Sequence, residues 1–387
     1  MKIAFFSFGL LEQAGGFENF LIETTKGLAD RYPNIDVDII TMSPSIVEKL
    51  QHVLTLYFGR KQPKSSIYRE QKDNIIHRLG RVRYLQAQSI RDLRTIMRRY
   101  DVVYSKNEVL ELGTLSIVGI KKLPPIIIGV HTPMQYVNEK SVSSRIHNIL
   151  YGPLIYKKLA RHITSTQVHN SSDLETLSKV YRMKNVSLIY QPFELNESTG
   201  MKKQDDCLNV LFVGRLTEAK GIDLLEEVLE RIPSQGYRVK VAGSGDSVYE
   251  NKIKGIAARR SDIEYMGHID NDQIGDLYEW AHVTLITSKY ETLNKVAIET
   301  ASAKKIVVSV DIPGPREIVV RDVTGYLLDP DPDAFISTLD VIRSIYISDF
   351  RTLKDMGQKS FDYVKKKFDP TTSYNAIYDD LRRVVNY

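Results

Sequence analysis

The sequence predicts an α/β protein of two doubly wound, Rossmann-like domains facing a central cleft. Three observations carry that expectation. A buried strand opens the chain at residues 2–8 (KIAFFSF), and the same alternation of strand, loop and helix restarts at 208–214 (LNVLFVG). Between them, residues 191–206 (QPFELNESTGMKKQDD) are polar, aperiodic and interrupted by Pro and Gly, as a linker is. Charge also changes across that stretch: residues 1–195 carry 27 Lys and Arg against 17 Asp and Glu, whereas the remainder carries 26 against 31. The expected division is a first domain at 1–190, a linker at 191–207 and a second domain at 208–370, with a final helix at 371–387 long enough to cross back onto the first domain.

The first half reads in order as follows. After the opening strand comes a loop holding Gly15 and Gly16, then a helix from about 18 to 31 and a strand at 37–41 (VDIIT). A glycine pair at a strand-to-helix turn lets backbone N–H groups approach a phosphate. Residues 44–99 are harder to assign: 46–58 has an apolar, aromatic stripe, a basic segment follows, and 91–100 (RDLRTIMRRY) is helical. A strand at 102–105, a helix near 111–119 and a strand at 126–130 (IIIGV) lead to His131, which lies just past a buried strand's carboxyl end, the ligand-binding edge of such sheets. Helical pieces at 142–159, a strand at 162–167 and a helix at 172–181 complete the half.

The second half continues with a helix at 222–231, a strand at 238–243, a helix near 249–259, a strand at 263–267 and a helix at 272–281. Then come a strand at 283–288 (VTLITS), a helix of about three turns containing Glu299, and a strand at 305–310 before a Gly/Pro loop.

Two constellations bear chemistry. Glu291 and Glu299 stand eight positions apart across the loop-to-helix junction after the 283–288 strand, so one ligand about the length of a nucleotide sugar reaches both. Ionised carboxylates accept from hydroxyls, which suits a polyol. The same pair also reads as solvated helix-end charges, Glu291 complementing the helix dipole. Arg215 and Lys220 flank a loop bounded by Gly214 and Gly221; they suit a diphosphate, or are two surface cations beside Glu218.

Taken together, GRLTEAKG (214–221), VAGSGD (241–246), YETLNKVAIE (290–299) and PGPREIV with DVTGYLL (313–328) resemble the ordered motif series of glycosyltransferase family 4, retaining enzymes of the GT-B fold, and AGGFENF (14–20) resembles that family's Gly-Gly loop. The resemblance spans nearly the whole chain. It implies a nucleoside diphosphate sugar donor, a UDP- or GDP-sugar. Glu299 would accept from the ribose hydroxyls, and Glu291 with the backbone of Thr292, Leu293 and Asn294 would contact the transferred sugar. Arg215 and Lys220 would hold the diphosphate, the glycines at 214 and 243 would line the donor loops, and Gly15 and Gly16 would approach from the first domain. His131 resembles the family's histidine near the anomeric centre. The resemblance further implies no cofactor and transfer without a metal, because cations replace it and no DxD motif lies in a suitable loop: Asp36 and Asp38 fall in a strand, and Asp329, Asp331 and Asp333 in a proline-broken stretch. Three departures stand out: Asn294 and Lys304 where glycine is usual, and QPFE (191–194) in place of an Asn-Gly turn. A non-catalytic nucleotide-sugar-binding subunit, or an epimerase or hydrolase of the nucleotide sugar, would share these motifs.

Composition narrows the rest. With 42% hydrophobic and 26% charged residues the chain reads as globular, and its one cysteine, Cys207, rules out an internal disulfide or a Cys-based metal cluster. No run of eighteen apolar residues and no leader pattern is present, so a cytoplasmic protein is expected. Residues 51–100 hold 12 basic and 3 acidic side chains, which favours a glycan or lipid-linked acceptor and peripheral contact with an anionic membrane at its inner face, or is a solvated surface. Nucleic acid is not expected as a partner, since no helix-turn-helix or aromatic stacking motif accompanies the charge.

Overall fold

The computed structural model describes residues 1–8, 16–43, 46, 75–119, 123–134, 142–160, 162–195, 198–270 and 273–386. They form two compact units, Met1–Pro192 with Pro370–Tyr387, and Phe193–Asp369. Gly15, residues 47–58 of the amphipathic stretch, and much of the basic cluster lie outside the described residues.

The first unit runs β1 (Lys2–Ser7), α1 (Gly16–Arg31), β2 (Asp36–Met42), β3 (Ile75–Leu79), β4 (Val82–Ala87), α2 (Ile90–Met97), β5 (Val102–Lys106), α3 (Val109–Val118), β6 (Ile126–Gly129), α4 (Val142–Leu150), α5 (Pro153–Ala160), β7 (Ser165–Val168), α6 (Ser171–Glu175) and β8 (Val186–Leu188). Among the described residues its sheet has the order β3-β4-β2-β1-β5-β6-β7-β8, with only the β3–β4 pair antiparallel. Strand β1 is apolar on both faces, with Ile3, Ala4, Phe5 and Phe6 all fully buried, because helices cover both sides of such a sheet. Helix α2 shows how the covering works. Ser89 caps it by accepting from the Asp92 N–H, and Leu93, Ile96 and Met97 recur at helical spacing to face the core.

The second unit runs β9 (Leu208–Val213), α7 (Ile222–Arg231), β10 (Tyr237–Ala242), α8 (Ser247–Arg259), β11 (Ile263–Gly267), α9 (Ile274–Trp280), β12 (Val283–Ile286), α10 (Lys295–Ser302), β13 (Ile306–Val310), α11 (Pro313–Arg316), β14 (Gly325–Leu328), α12 (Pro332–Ser348) and α13 (Phe350–Lys367). Its sheet is wholly parallel in the order β11-β10-β9-β12-β13-β14, the order of a Rossmann fold. The order reverses between β9 and β12, and that switch point is where loops open into a crevice.

Several expectations change. Residues 193–195 and 198–207, expected as part of a linker, belong to the second unit, with Met201 3% exposed in its core and Asp205 taking an ion pair from Arg238 at 2.6 Å. Polarity hid this, because the packing there uses side-chain ion pairs and isolated apolar anchors. The hairpin β3–β4, strands β8 and β14, and helices α12 and α13 were not anticipated. Strand β8 is only three residues long. Asp331 is the N-cap of α12, accepting from the Asp333 N–H, and Asp333 pairs with Arg231; this explains the acidic, proline-broken stretch structurally. Asp38, nearly fully buried in β2, holds Arg83 and the Tyr100 hydroxyl.

The last helix, α14 (Pro370–Val385), belongs to the first unit. Tyr378 stacks on Tyr32 with ring centroids 4.0 Å apart, and the Tyr374 hydroxyl donates to the Glu23 carbonyl at 3.2 Å. Asp380, 5% exposed, accepts from Gln167 at 2.7 Å and pairs with Arg383. Removing that carboxylate leaves a buried amide without its acceptor, so Asp380→Ala should weaken docking of the helix by about 2–3 kcal/mol. Faster proteolysis or amide exchange across residues 370–386, with the second unit unaffected, is the expected readout.

Candidate active site

The second unit's loops meet at the carboxyl edge of its sheet through main-chain contacts. Leu216 donates to the Ser244 carbonyl at 3.0 Å and accepts from the Asp246 N–H at 2.8 Å, joining the loops after β9 and β10. Lys289 donates through its backbone to Ala219 at 3.0 Å, and the Thr287 hydroxyl donates to the Lys220 carbonyl at 2.8 Å, joining the loops after β9 and β12. Gly314 donates to the Glu291 carbonyl at 3.0 Å, bringing in the loop after β13. At Gly221 and Gly243 both backbone conformation and space exclude a side chain. Gly221 has φ 65° and a Cβ there would stand 1.8 Å from the Thr287 carbonyl oxygen; Gly243 has φ 137° and its Cβ would stand 1.9 Å from the Gly214 carbonyl oxygen.

This scaffold carries the predicted side chains. Lys220 Nζ lies 2.5 Å from Glu291 Oε1, which also accepts from the Ser288 hydroxyl at 2.9 Å. The pair is partly buried, at 26% and 14% side-chain exposure, so water screens it less than a surface pair. Glu299, on α10, accepts from the Tyr278 hydroxyl at 2.8 Å while Lys295 stands 3.6 Å away. Burial and the Glu299 carboxylate push the Tyr278 hydroxyl pKa well up, so it remains a donor. Arg215 is exposed and makes no ion pair among the described residues. Thr292 and Leu293 are half-buried in the loop before α10.

Asn294 has a structural role that sequence did not reveal. It is 3% exposed, has φ −107°, and its side chain caps α10 by accepting from the Ala297 N–H at 2.8 Å. That backbone conformation suits any residue, so nothing here requires the glycine of the related motif. Lys304, by contrast, does sit in the left-handed region at φ 58°, just past α10, where glycine is the usual choice.

In the first unit, Gly16 begins α1 and His131 follows β6. Asn107, fully buried after β5, holds the His131 loop: its side-chain oxygen accepts from the His131 and Thr132 N–H groups, both at 3.2 Å. The His131 ring meets Phe20 and His169, each with centroids 4.5 Å away. Burial lowers the His131 pKa well below its ordinary value, with His169 and Lys106 adding to the effect. Burial also lowers His169, to about 4. The same sheet edge holds Glu111, 1% exposed, which accepts from the Phe8 N–H at 3.0 Å and lies 3.5 Å from Lys106; burial pushes its carboxyl up to about 7.

Sequence reasoning missed Ser288, Tyr278, His169, Gln191, Lys106 and Glu111. For Ser288 the adjacency to Glu291 was a usable signal. Tyr278 comes from α9 to meet Glu299 in the second unit, and His169, Gln191, Lys106 and Glu111 are brought to one edge of the first unit's sheet only by its strand order.

Comparisons with known proteins bear on the fold and on the second unit's sequence. Residues 207–342, which lie within the second unit, match the family model described as glycosyl transferases group 1. An uncharacterized glycosyltransferase of Methanocaldococcus jannaschii is 30% identical over 186 residues, which is 47% of this chain and 45% of that protein. The chain thus spans about half the length of the curated relatives it matches. Sucrose-phosphate synthase from Thermosynechococcus elongatus superposes with a TM-score of 0.77 at 16% identity, over 99% of this chain and 98% of that one. Anabaena HepE in complex with UDP-glucose superposes with a TM-score of 0.71 at 18% identity, over 99% and 100% of the two chains. The fold is GT-B.

Two outcomes follow from the local physics. Asn294→Ala should cost about 1 kcal/mol of stability and Asn294→Gly only a few tenths, measured by urea unfolding, since what is lost is a helix cap. His169 titrates lower in the folded chain than in the unfolded one, so the unfolded chain takes up the proton first as pH falls. Its neutral form therefore supports the fold fully above pH 6.5, and this contribution is lost between pH 6.5 and about 4, amounting to about 3 kcal/mol. The stability difference between wild type and His169→Asn should shrink across that window; a constant difference contradicts the assignment.

Proposed function

We propose that the chain is a retaining glycosyltransferase that moves a sugar from a nucleoside diphosphate sugar to a glycan or lipid-linked acceptor without a metal ion. The observation that carries this reading is the meeting of four motif loops at the β9/β12 switch point, where Arg215, Lys220, Glu291 and Glu299 stand on one interlocked scaffold. Switch points are where open α/β sheets bind nucleotides. UDP is the favoured base, because the HepE structure of like fold is a complex with UDP-glucose.

In this reading Glu299, oriented from beneath by Tyr278, accepts from the ribose hydroxyls. Arg215 and Lys220 bind the diphosphate and stabilise the negative charge that gathers on it as the bond to the sugar's anomeric carbon breaks. Glu291, held by Lys220 and Ser288, faces the sugar with the Thr292–Asn294 backbone, and the loops at Gly214 and Gly243 let backbone come close to the donor. Two cations and backbone donors supply the charge compensation that a metal gives elsewhere. The basic excess of residues 51–100 favours an anionic acceptor such as a lipid-linked glycan.

A thermal-shift series with UDP-, GDP- and ADP-sugars tests the donor site, because a ligand bound only by the native state raises the midpoint. Wild type should respond to one base class. Glu299→Ala and Arg215→Ala should each lower affinity for it by roughly 10- to 100-fold, the loss of a hydrogen bond or ion pair to a charged group. Transfer should persist in excess chelator. No shift with any donor at millimolar concentration, or activity restored to chelated protein by Mg²⁺, would overturn the proposal.

A further inference from the structure

The His131 ring is gripped from two sides by neighbours, His169 and Gln191, whose own bonding favours the same arrangement of protons. On one side stands His169, 2% exposed, with Nδ1 2.8 Å from the Ile189 carbonyl oxygen. A carbonyl only accepts, so Nδ1 carries the hydrogen and the neutral ring presents a bare Nε2. That bare nitrogen faces His131 Nε2 at 3.5 Å. Two lone pairs would repel there, so His131 Nε2 must carry the hydrogen.

On the other side, the Gln191 side-chain nitrogen lies 3.1 Å from His131 Nδ1. An amide nitrogen only donates, so His131 Nδ1 must accept. The two sides are independent and demand the same species. The Tyr104 hydroxyl, 3.1 Å from His131 Nε2, both donates and accepts; here its oxygen takes the Nε2 hydrogen, and its own hydrogen goes without an acceptor among the described residues, a cost set against the His169 and Gln191 contacts.

We infer that His169 and Gln191 are positioning residues that hold His131 as the neutral imidazole protonated on Nε2, committing both ring nitrogens to the protein and removing His131 from any proton-transfer role. This rests on the transferase reading only for its consequence. As the bond to the diphosphate lengthens, positive charge gathers on the sugar, and an imidazolium at the place the family resemblance gives His131, near the anomeric centre, would oppose that charge where a neutral ring does not. Low titration of both rings is consistent with this, since burial disfavours charge on each and the Lys106 ammonium adds to it at His131.

The test uses the full chain labelled with ¹⁵N-histidine, with the His131 signals assigned by their loss in His131→Asn. At pH 7 wild type should show a pyridine-type Nδ1 and a pyrrole-type Nε2. Gln191→Glu keeps the shape but replaces the donor by an acceptor, so Nδ1 should become protonated. A pyrrole-type Nδ1 in wild type, or an unchanged pattern in Gln191→Glu, overturns the inference. His169→Phe keeps a ring against Phe20 and His131, and should lower kcat at least tenfold while leaving the donor KM within twofold. A changed donor KM at constant kcat counts against positioning. If His169→Phe fails to fold, the wild-type spectrum alone still decides the tautomer. If wild type transfers no sugar, the proposed function fails while the spectra still stand or fall on their own.

Discussion

The close approach of backbone to backbone at the carboxyl edge of the second sheet is the constraint on which the candidate site depends. Gly221 brings the loop after β9 against the carbonyl of Thr287, and any side chain at 221 would push the two loops apart. Because the loops share main-chain hydrogen bonds, their positions are not independently adjustable. Lys220 reaches Glu291 only because its neighbour carries no side chain, so a charge pair from opposite sides of the switch point is a consequence of a steric fact one residue away.

The sheet orders explain why such loops converge in both units. In the second, β9 sits between β10 and β12, so the chain's first and fourth strands of that sheet are neighbours and their following loops diverge to opposite faces. The first unit repeats the device: β1 lies between β2 and β5, and the edge beside β5 and β6 holds Lys106, Asn107, Glu111 and His131. What differs is the chemistry placed there. The second unit gathers exposed or half-exposed charge, Arg215, Lys220, Glu291 and Glu299, whereas the first gathers buried rings around His131.

How much of this was legible in the sequence follows from the range of the interactions. The βα alternation is local, so strands such as β9 and β12 and helices such as α7 declared themselves through runs and periodicity, with boundaries displaced by a residue or two. Loop motifs were equally legible, since Gly214, Gly221 and Gly243 mark turns with their own backbone demands. The hairpin β3–β4 was not, because an edge hairpin in a basic stretch lacks the apolar run of a central strand. Nor was the packing of residues 193–195 and 198–207, which depends on Arg238 and other partners distant in the chain. Asn294 is the most instructive case: read as a departure from a glycine, it is a helix cap whose partner, the Ala297 N–H, is three residues away and was in view.

The His131 cluster shows why composition could not have revealed its own chemistry. A histidine at a strand's carboxyl end invites the reading of an acid or base, and one residue cannot say otherwise. The deciding partners come from the ends of β7 and β8 and from the residues just before the chain leaves the first unit: His169, Ile189 and Gln191. Each contributes a group whose direction of donation is fixed by its own chemistry, a carbonyl that only accepts and an amide nitrogen that only donates. With those directions fixed at both ends, the ring between them has one neutral form that suits both the His169 and the Gln191 contact. A protonated ring would set a hydrogen on Nδ1 against the hydrogens of the Gln191 amide, so the same geometry that selects the tautomer also resists the charge.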